Sequence, residues 1–195
     1  MYFLNQCCLR RPGTLFTMLI CLLLFTKSGA QSGSDLRLNV EDLYSTHSNH
    51  FAGASASYNR YWGNKWALGV GVEYSGTAYH DDNGWNLYHL NFIPVYVSAY
   101  FNIGTYRQWT PYAHLQEGIS FAWYDKEFPD HPGTRHRIRE KGGYGYGGAG
   151  TRYAVSPGSG FFLEAGMKAF HLSFNNLDVN PHGFTSKLGY VYRLQ

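Results

Sequence analysis

Residues 65–78 read KWALGVGVEYSGTA, and the fold is decided by how this stretch alternates. Trp66, Leu68, Val70, Val72, Tyr74 and Ala78 fall on one side of an extended chain. Lys65, Ala67, Gly69, Gly71, Glu73, Ser75 and Thr77 fall on the other. A period of two is the signature of a β-strand whose faces meet different surroundings. The bulky side chains share one face, while the opposite face is small, glycine-rich or charged. A soluble sandwich would carry long polar chains on its outer face. This pattern suits a narrow barrel instead, with a cramped lumen inside and lipid outside.

Outward from this stretch, the same alternation recurs. Strands are expected at roughly Leu36–Tyr44, His50–Trp62, Trp66–Tyr79, Asn86–Ile103, Tyr112–Tyr124, Gly143–Val155, Phe161–Ser173 and Phe184–Leu194. The expected fold class is therefore all-β: an antiparallel up-and-down transmembrane β-barrel of about eight strands, the smallest even number for such a barrel. Connections after the first, third, fifth and seventh strands are polar and mostly longer, hence extracellular. Those after the second, fourth and sixth are short, hence periplasmic, which puts both chain ends in the periplasm. The longest polar loop is expected at Asp125–Lys141.

Four places break the pattern. Glu41 and Asp42 interrupt the first strand. The apolar face switches at Phe92-Ile93-Pro94, where proline removes a ladder donor, so a β-bulge is expected there. A similar switch lies between Ala169 and Phe170. Glu117 stands among Leu115, Ile119 and Phe121 on an apolar face, and a bulge or a rim position is expected to spare it lipid.

The first thirty residues stand apart. Arg10 and Arg11 precede an apolar run from Leu15 to Phe25, and Ser28-Gly29-Ala30 supplies small residues at a cleavage site. The run is too short to span a bilayer as a helix. Residues 1–30 are expected to be a cleaved signal peptide and 31–195 the barrel domain. All three cysteines (Cys7, Cys8, Cys21) lie in the leader, so no disulfide is expected in the mature chain. The remainder is rich in Tyr and Gly, with 17 and 23 in the whole chain, a mixture that favours pleated surface. A formal charge of +3 without a basic stripe argues against nucleic acid.

All five tryptophans (Trp62, Trp66, Trp85, Trp109 and Trp123) fall near expected strand ends, as a membrane-interface girdle would require. The expected lumen face collects Lys65, Glu73, His114, Gln116, Arg152, Glu164, Lys168, Lys187 and Arg193. Buried charges must pair, so these read as a salt-bridged filling with no open pore. The histidines of the 125–141 loop lack metal-ligand spacing, and no metal or other cofactor is expected. The arginines of that loop (Arg135, Arg137, Arg139) suit lipopolysaccharide phosphates.

Lys187, Gly189, Tyr192 and Leu194 resemble the signal by which outer-membrane barrels present their last strand to the assembly machinery. More broadly, Ile93-Pro94-Val95, Pro111-Tyr112, Glu117-Gly118, Lys141-Gly142-Gly143 and the closing strand resemble the outer-membrane β-barrel domain family of small porin-like proteins. That family is related in architecture to the membrane domain of outer-membrane protein A. The resemblance implies a Gram-negative outer-membrane location, contact with its lipids and lipopolysaccharide, and a structural or surface-interaction role. Two other readings stand beside it. His171 and Ser173 resemble the His-x-Ser pair of lipid A 3-O-deacylases, which implies a general base and a nucleophile in a lipid A esterase. Phe174 and Thr185 depart from that pattern, Thr185 standing where the orienting glutamate belongs. A soluble secreted β-barrel or sandwich binding protein is the third reading.

Overall fold

The computed structural model describes residues 33–46, 48–82, 85–127, 130–172 and 181–194, and of 81–82 the backbone only; the leader lies outside them. Eight strands run β1 (Ser34–Ser45), β2 (His50–Trp62), β3 (Trp66–Asp82), β4 (Trp85–Asn102), β5 (Trp109–Glu127), β6 (Arg135–Ser156), β7 (Ser159–His171) and β8 (His182–Leu194). Each pairs antiparallel with its sequence neighbours, and β8 closes on β1 from Ser34↔Leu194 to Ser45↔Gly183. Closure satisfies every edge strand, which is what a sheet must do in lipid.

The alternation decides which way each residue points. On β1, Leu36, Leu38 and Val40 face out, while Asp35, Arg37 and Glu41 face in. On β3, Trp66, Leu68, Val70, Val72 and Tyr74 face out and Glu73 is buried. The outward belt continues around the ring through Val95, Leu115, Ile119, Phe161, Leu163, Met167 and Leu188. Its members are as open as Val40 at 62% and Leu115 at 63%. An apolar surface this continuous would not stay in water; it is the lipid-facing surface of a membrane barrel.

The small inward residues make room for rings. A Cβ at Gly71 would sit 2.5 Å from the Tyr96 ring, and one at Gly118 would press on the Val95 carbonyl and lie 2.7 Å from the Tyr96 Cα. On the glycine-rich face of residues 65–78, the space at Gly71 is thus taken by the Tyr96 ring and that at Gly69 by the Asn59 side chain.

Several expectations change. No bulge lies at Phe92-Ile93-Pro94: Leu90, Phe92, Pro94 and Tyr96 all stay inward, and so does Phe170 on β7. The apolar side chains did not change face; the interior itself turns apolar at that height. The register shift of β4 against β5 falls between Tyr88 and Asn91, around His89, whose φ is 52°. Glu117 is neither bulged nor at a rim. It pairs in register with Val97 and Gly145 and points outward between Leu115 and Ile119, mid-belt. The 125–141 segment is mostly ladder rather than loop, with pairing from Trp123↔Arg139 up to Glu127↔Arg135. It is a hairpin that carries β5 and β6 beyond Trp123.

Candidate functional site

The interior is layered along the barrel axis. Nearest the end that holds both described chain ends, Asp35 accepts hydrogen bonds from Asn59 Nδ2 at 2.9 Å and from the Tyr61 hydroxyl at 2.6 Å. Arg37 donates to Tyr61 Oη at 2.8 Å, lies 3.4 Å from Asp35, and stacks 3.9 Å above the Tyr100 ring centroid. Next come His114 and Glu164, 2.8 Å apart, with the imidazole stacked on Tyr100 at 3.8 Å.

The central layer holds the densest charge. Lys168 on β7 donates to Glu41 of β1 and, at 2.8 Å, to Glu73 of β3; all three side chains are wholly buried. Lys187 lies 3.3 Å from Glu41 and donates to Gln116 at 3.2 Å. The Tyr144 hydroxyl lies between Glu73 and Gln116, 3.0 Å and 2.7 Å away. Each charge faces an opposite charge or a polar partner, as a low-dielectric interior demands. Above this layer Leu43, Phe51, Leu87, Leu90, Phe92, Tyr124, Phe170 and Leu172 form an apolar plug, with Phe92 and Phe170 stacked at 4.6 Å.

The lumen residues read from the sequence fall in different places. Glu73, His114, Gln116, Glu164, Lys168 and Lys187 lie in these layers, while Arg152 lies at the mouth. Lys65 does not: it is exposed in the turn between β2 and β3, whose Gly63 takes φ 64°. Arg193 is exposed at the rim, one residue from the end of β8 and still paired with Asp35 of β1. Asp35, Arg37 and Glu41 were missing from the sequence-based set. Their alternation with Leu36, Leu38 and Val40 was the available signal.

The tryptophans divide too. Trp66 packs on Phe101 at 4.7 Å and Trp109 on Tyr153 at 4.8 Å, outward at one end; Trp62 opposes Trp66 across the turn. Trp123 faces Tyr74 at 6.5 Å toward the other end. Trp85 is no girdle residue: it packs against the apolar plug, with Lys126 Nζ 3.7 Å from its ring centroid. On β8, Lys187 and Gly189 point inward, the latter beneath the Phe162 ring, and Tyr192 points outward.

His171 ends β7 with its side chain outside, whereas Thr185 is wholly buried on the lumen side. The two lie on opposite faces of the wall, so Thr185 cannot orient His171. Ser173 lies outside the described residues.

No family model and no curated protein matches this sequence. Solved structures do. A major outer membrane protein of Thermus thermophilus matches with a TM-score of 0.64 at 9% identity, covering 84% of this chain and 100% of that one. OprG of Pseudomonas aeruginosa matches at 0.52 and 12% identity, over 86% and 98%. Neisserial surface protein A matches at 0.50 and 14% identity, over 84% and 96%. The fold is that of the small outer-membrane β-barrels. At these identities the likeness concerns the fold, and the exposed apolar belt around a filled interior is what in this chain itself fits a bilayer.

Proposed function

We propose that this chain is an integral protein of a Gram-negative outer membrane that works at the cell surface through its projecting hairpin, with a sealed interior. The observation that carries this is the pairing of a lumen filled by ion pairs and an apolar plug with strands β5 and β6 that run on past Trp123. In this reading residues 1–30 are the cleaved leader, both ends of the barrel domain lie in the periplasm, and the last strand engages the assembly machinery.

The β6 arm of the hairpin presents three arginines, the first of them beside the turn. Arg135 donates to Glu127 at 3.1 Å and stacks 3.8 Å from the Tyr88 ring centroid. Arg137 and Arg139 alternate with it along β6 and are exposed. Guanidinium groups presented on a ladder suit the phosphates of lipopolysaccharide, which they bind in a forked geometry.

The test has two arms. Purified barrel in a planar bilayer is expected to give no stepwise conductance; steady open-channel currents would overturn the sealed interior. In nanodiscs, binding of phosphorylated lipopolysaccharide is expected to weaken several-fold in R137S/R139S. Equal binding by wild type and variant would remove the hairpin as the contact.

A further inference from the structure

The mouth at the end that holds the chain ends is built unlike the interior above it. Arg152, inward on β6, is only 8% exposed, and its guanidinium reaches the Thr110 hydroxyl at 3.5 Å. The three cations further inside each have a carboxylate: Arg37 has Asp35, Lys168 has Glu41 and Glu73, and Lys187 has Glu41. Among the described residues Arg152 forms no ion pair.

Two clefts of about 240 and 200 Å³ open beside it, and both are lined by Thr105, Thr110, Arg152 and Arg193. Arg107, held at φ 57° in the turn between β4 and β5, lines the second. Among the described residues no aspartate or glutamate lines either cleft. Asp35, the register partner of Arg193, is already engaged by Asn59, Tyr61 and Arg37. A buried guanidinium is stabilised by a paired anion far more than by a single hydroxyl.

We propose that this mouth is an oxyanion site that takes a phosphate or carboxylate group of a small solute. Arg152 is its buried anchor, and Arg193 and Arg107 form its cationic rim. The larger cleft holds roughly eight water volumes, room for a phosphoryl group with part of the molecule that carries it. The forked guanidinium and the Thr105 and Thr110 hydroxyls supply donors, and the acid-free lining does not repel the charge. Only the compartment the site faces, the periplasm, rests on the orientation proposed above.

The experiment titrates inorganic phosphate by calorimetry into wild-type barrel folded in a phosphate-free maltoside micelle at low salt. Saturable binding is expected, weakened at least tenfold in R152Q and severalfold in R193Q. R60Q, which alters an arginine on the outer face of β2, is expected to bind like wild type. Heat-modifiable gel mobility confirms that each variant is folded, and R193Q, altered at an exposed rim position, keeps the test valid where R152Q folds poorly. Absent wild-type binding, or binding untouched by both substitutions, would overturn the site. Competition by a short-chain phosphatidylglycerol but not by glycerol phosphate would place the phosphate in a lipid headgroup and overturn a solute site. Open-channel conductance would sink the sealed-barrel reading while leaving this titration unaffected.

Discussion

Replacing Lys168 by Met is the most informative single perturbation of this barrel. The ammonium joins Glu41 and Glu73, carried by the first and third strands, from a seventh strand 127 and 95 residues away in sequence. All three side chains are wholly buried, so water cannot screen what is left behind. Glu41 would keep Lys187 at 3.3 Å, whereas among the described residues Glu73 would keep the Tyr144 hydroxyl but no other cation within ion-pair distance. The stranded charge is therefore mainly that of Glu73. Breaking a buried pair by removing one partner costs about 3–5 kcal/mol, a large share of the roughly 5–15 kcal/mol that holds a typical protein folded. K168M/E73Q removes the stranded charge as well and is expected to recover at least about 2 kcal/mol, a coupling of the size that contacting residues show. Urea unfolding from lipid vesicles, followed by tryptophan fluorescence and by gel mobility without boiling, measures both. K168M within about 1 kcal/mol of wild type, or a double variant no better than the single one, would refute the view that this lysine holds the interior together.

Two further outcomes follow from the wall. Glu117 faces outward at mid-belt between Leu115 and Ile119, where a carboxylate costs less than the roughly 2–4 kcal/mol of a basic residue but still costs. E117L is expected to stabilise the barrel by about 1–2 kcal/mol in the same unfolding assay, and a loss of stability would show that the carboxylate has a favourable partner there. At Gly118, an added Cβ meets backbone of β4 rather than a movable side-chain end. G118A is expected to cost about 1–3 kcal/mol and to lower the folded, heat-modifiable fraction; unchanged stability would mean that β4 and β5 are less tightly apposed.

Much of the wall was legible because a strand writes its two faces directly into residue order. The limits of β2, His50–Trp62, were readable from the turn residues around them, and the faces of β3 from the run Leu68, Val70, Val72 against Gly69, Gly71, Glu73. Misreadings came where one rule was applied at every height. Phe92 and Phe170 looked like a change of face because the lumen was taken as polar throughout. They point inward into an apolar plug, and that plug exists only because strands far apart in sequence bring Phe51, Leu90 and Leu172 to the same level. Glu41 looked like an interruption because it was read with its neighbour Asp42 against an apolar pattern, until closure set Lys168 and Lys187 beside it. Trp85 and Lys126 were drawn to each other by the hairpin extensions, which no girdle rule anticipates.

By itself, the sequence determined that residues 65–78 form a two-faced strand and that seven more segments resemble it, and it made a lipid-facing barrel the leading reading beside a soluble one. Those are local matters of side-chain alternation and turn chemistry. The tertiary structure alone decided the partner of each buried charge, the height at which the lumen turns apolar, and the convergence of Arg152 with Arg107 and Arg193 at one mouth. These depend on register around a closed ring, where each strand's position is set by its neighbours rather than by its own residues.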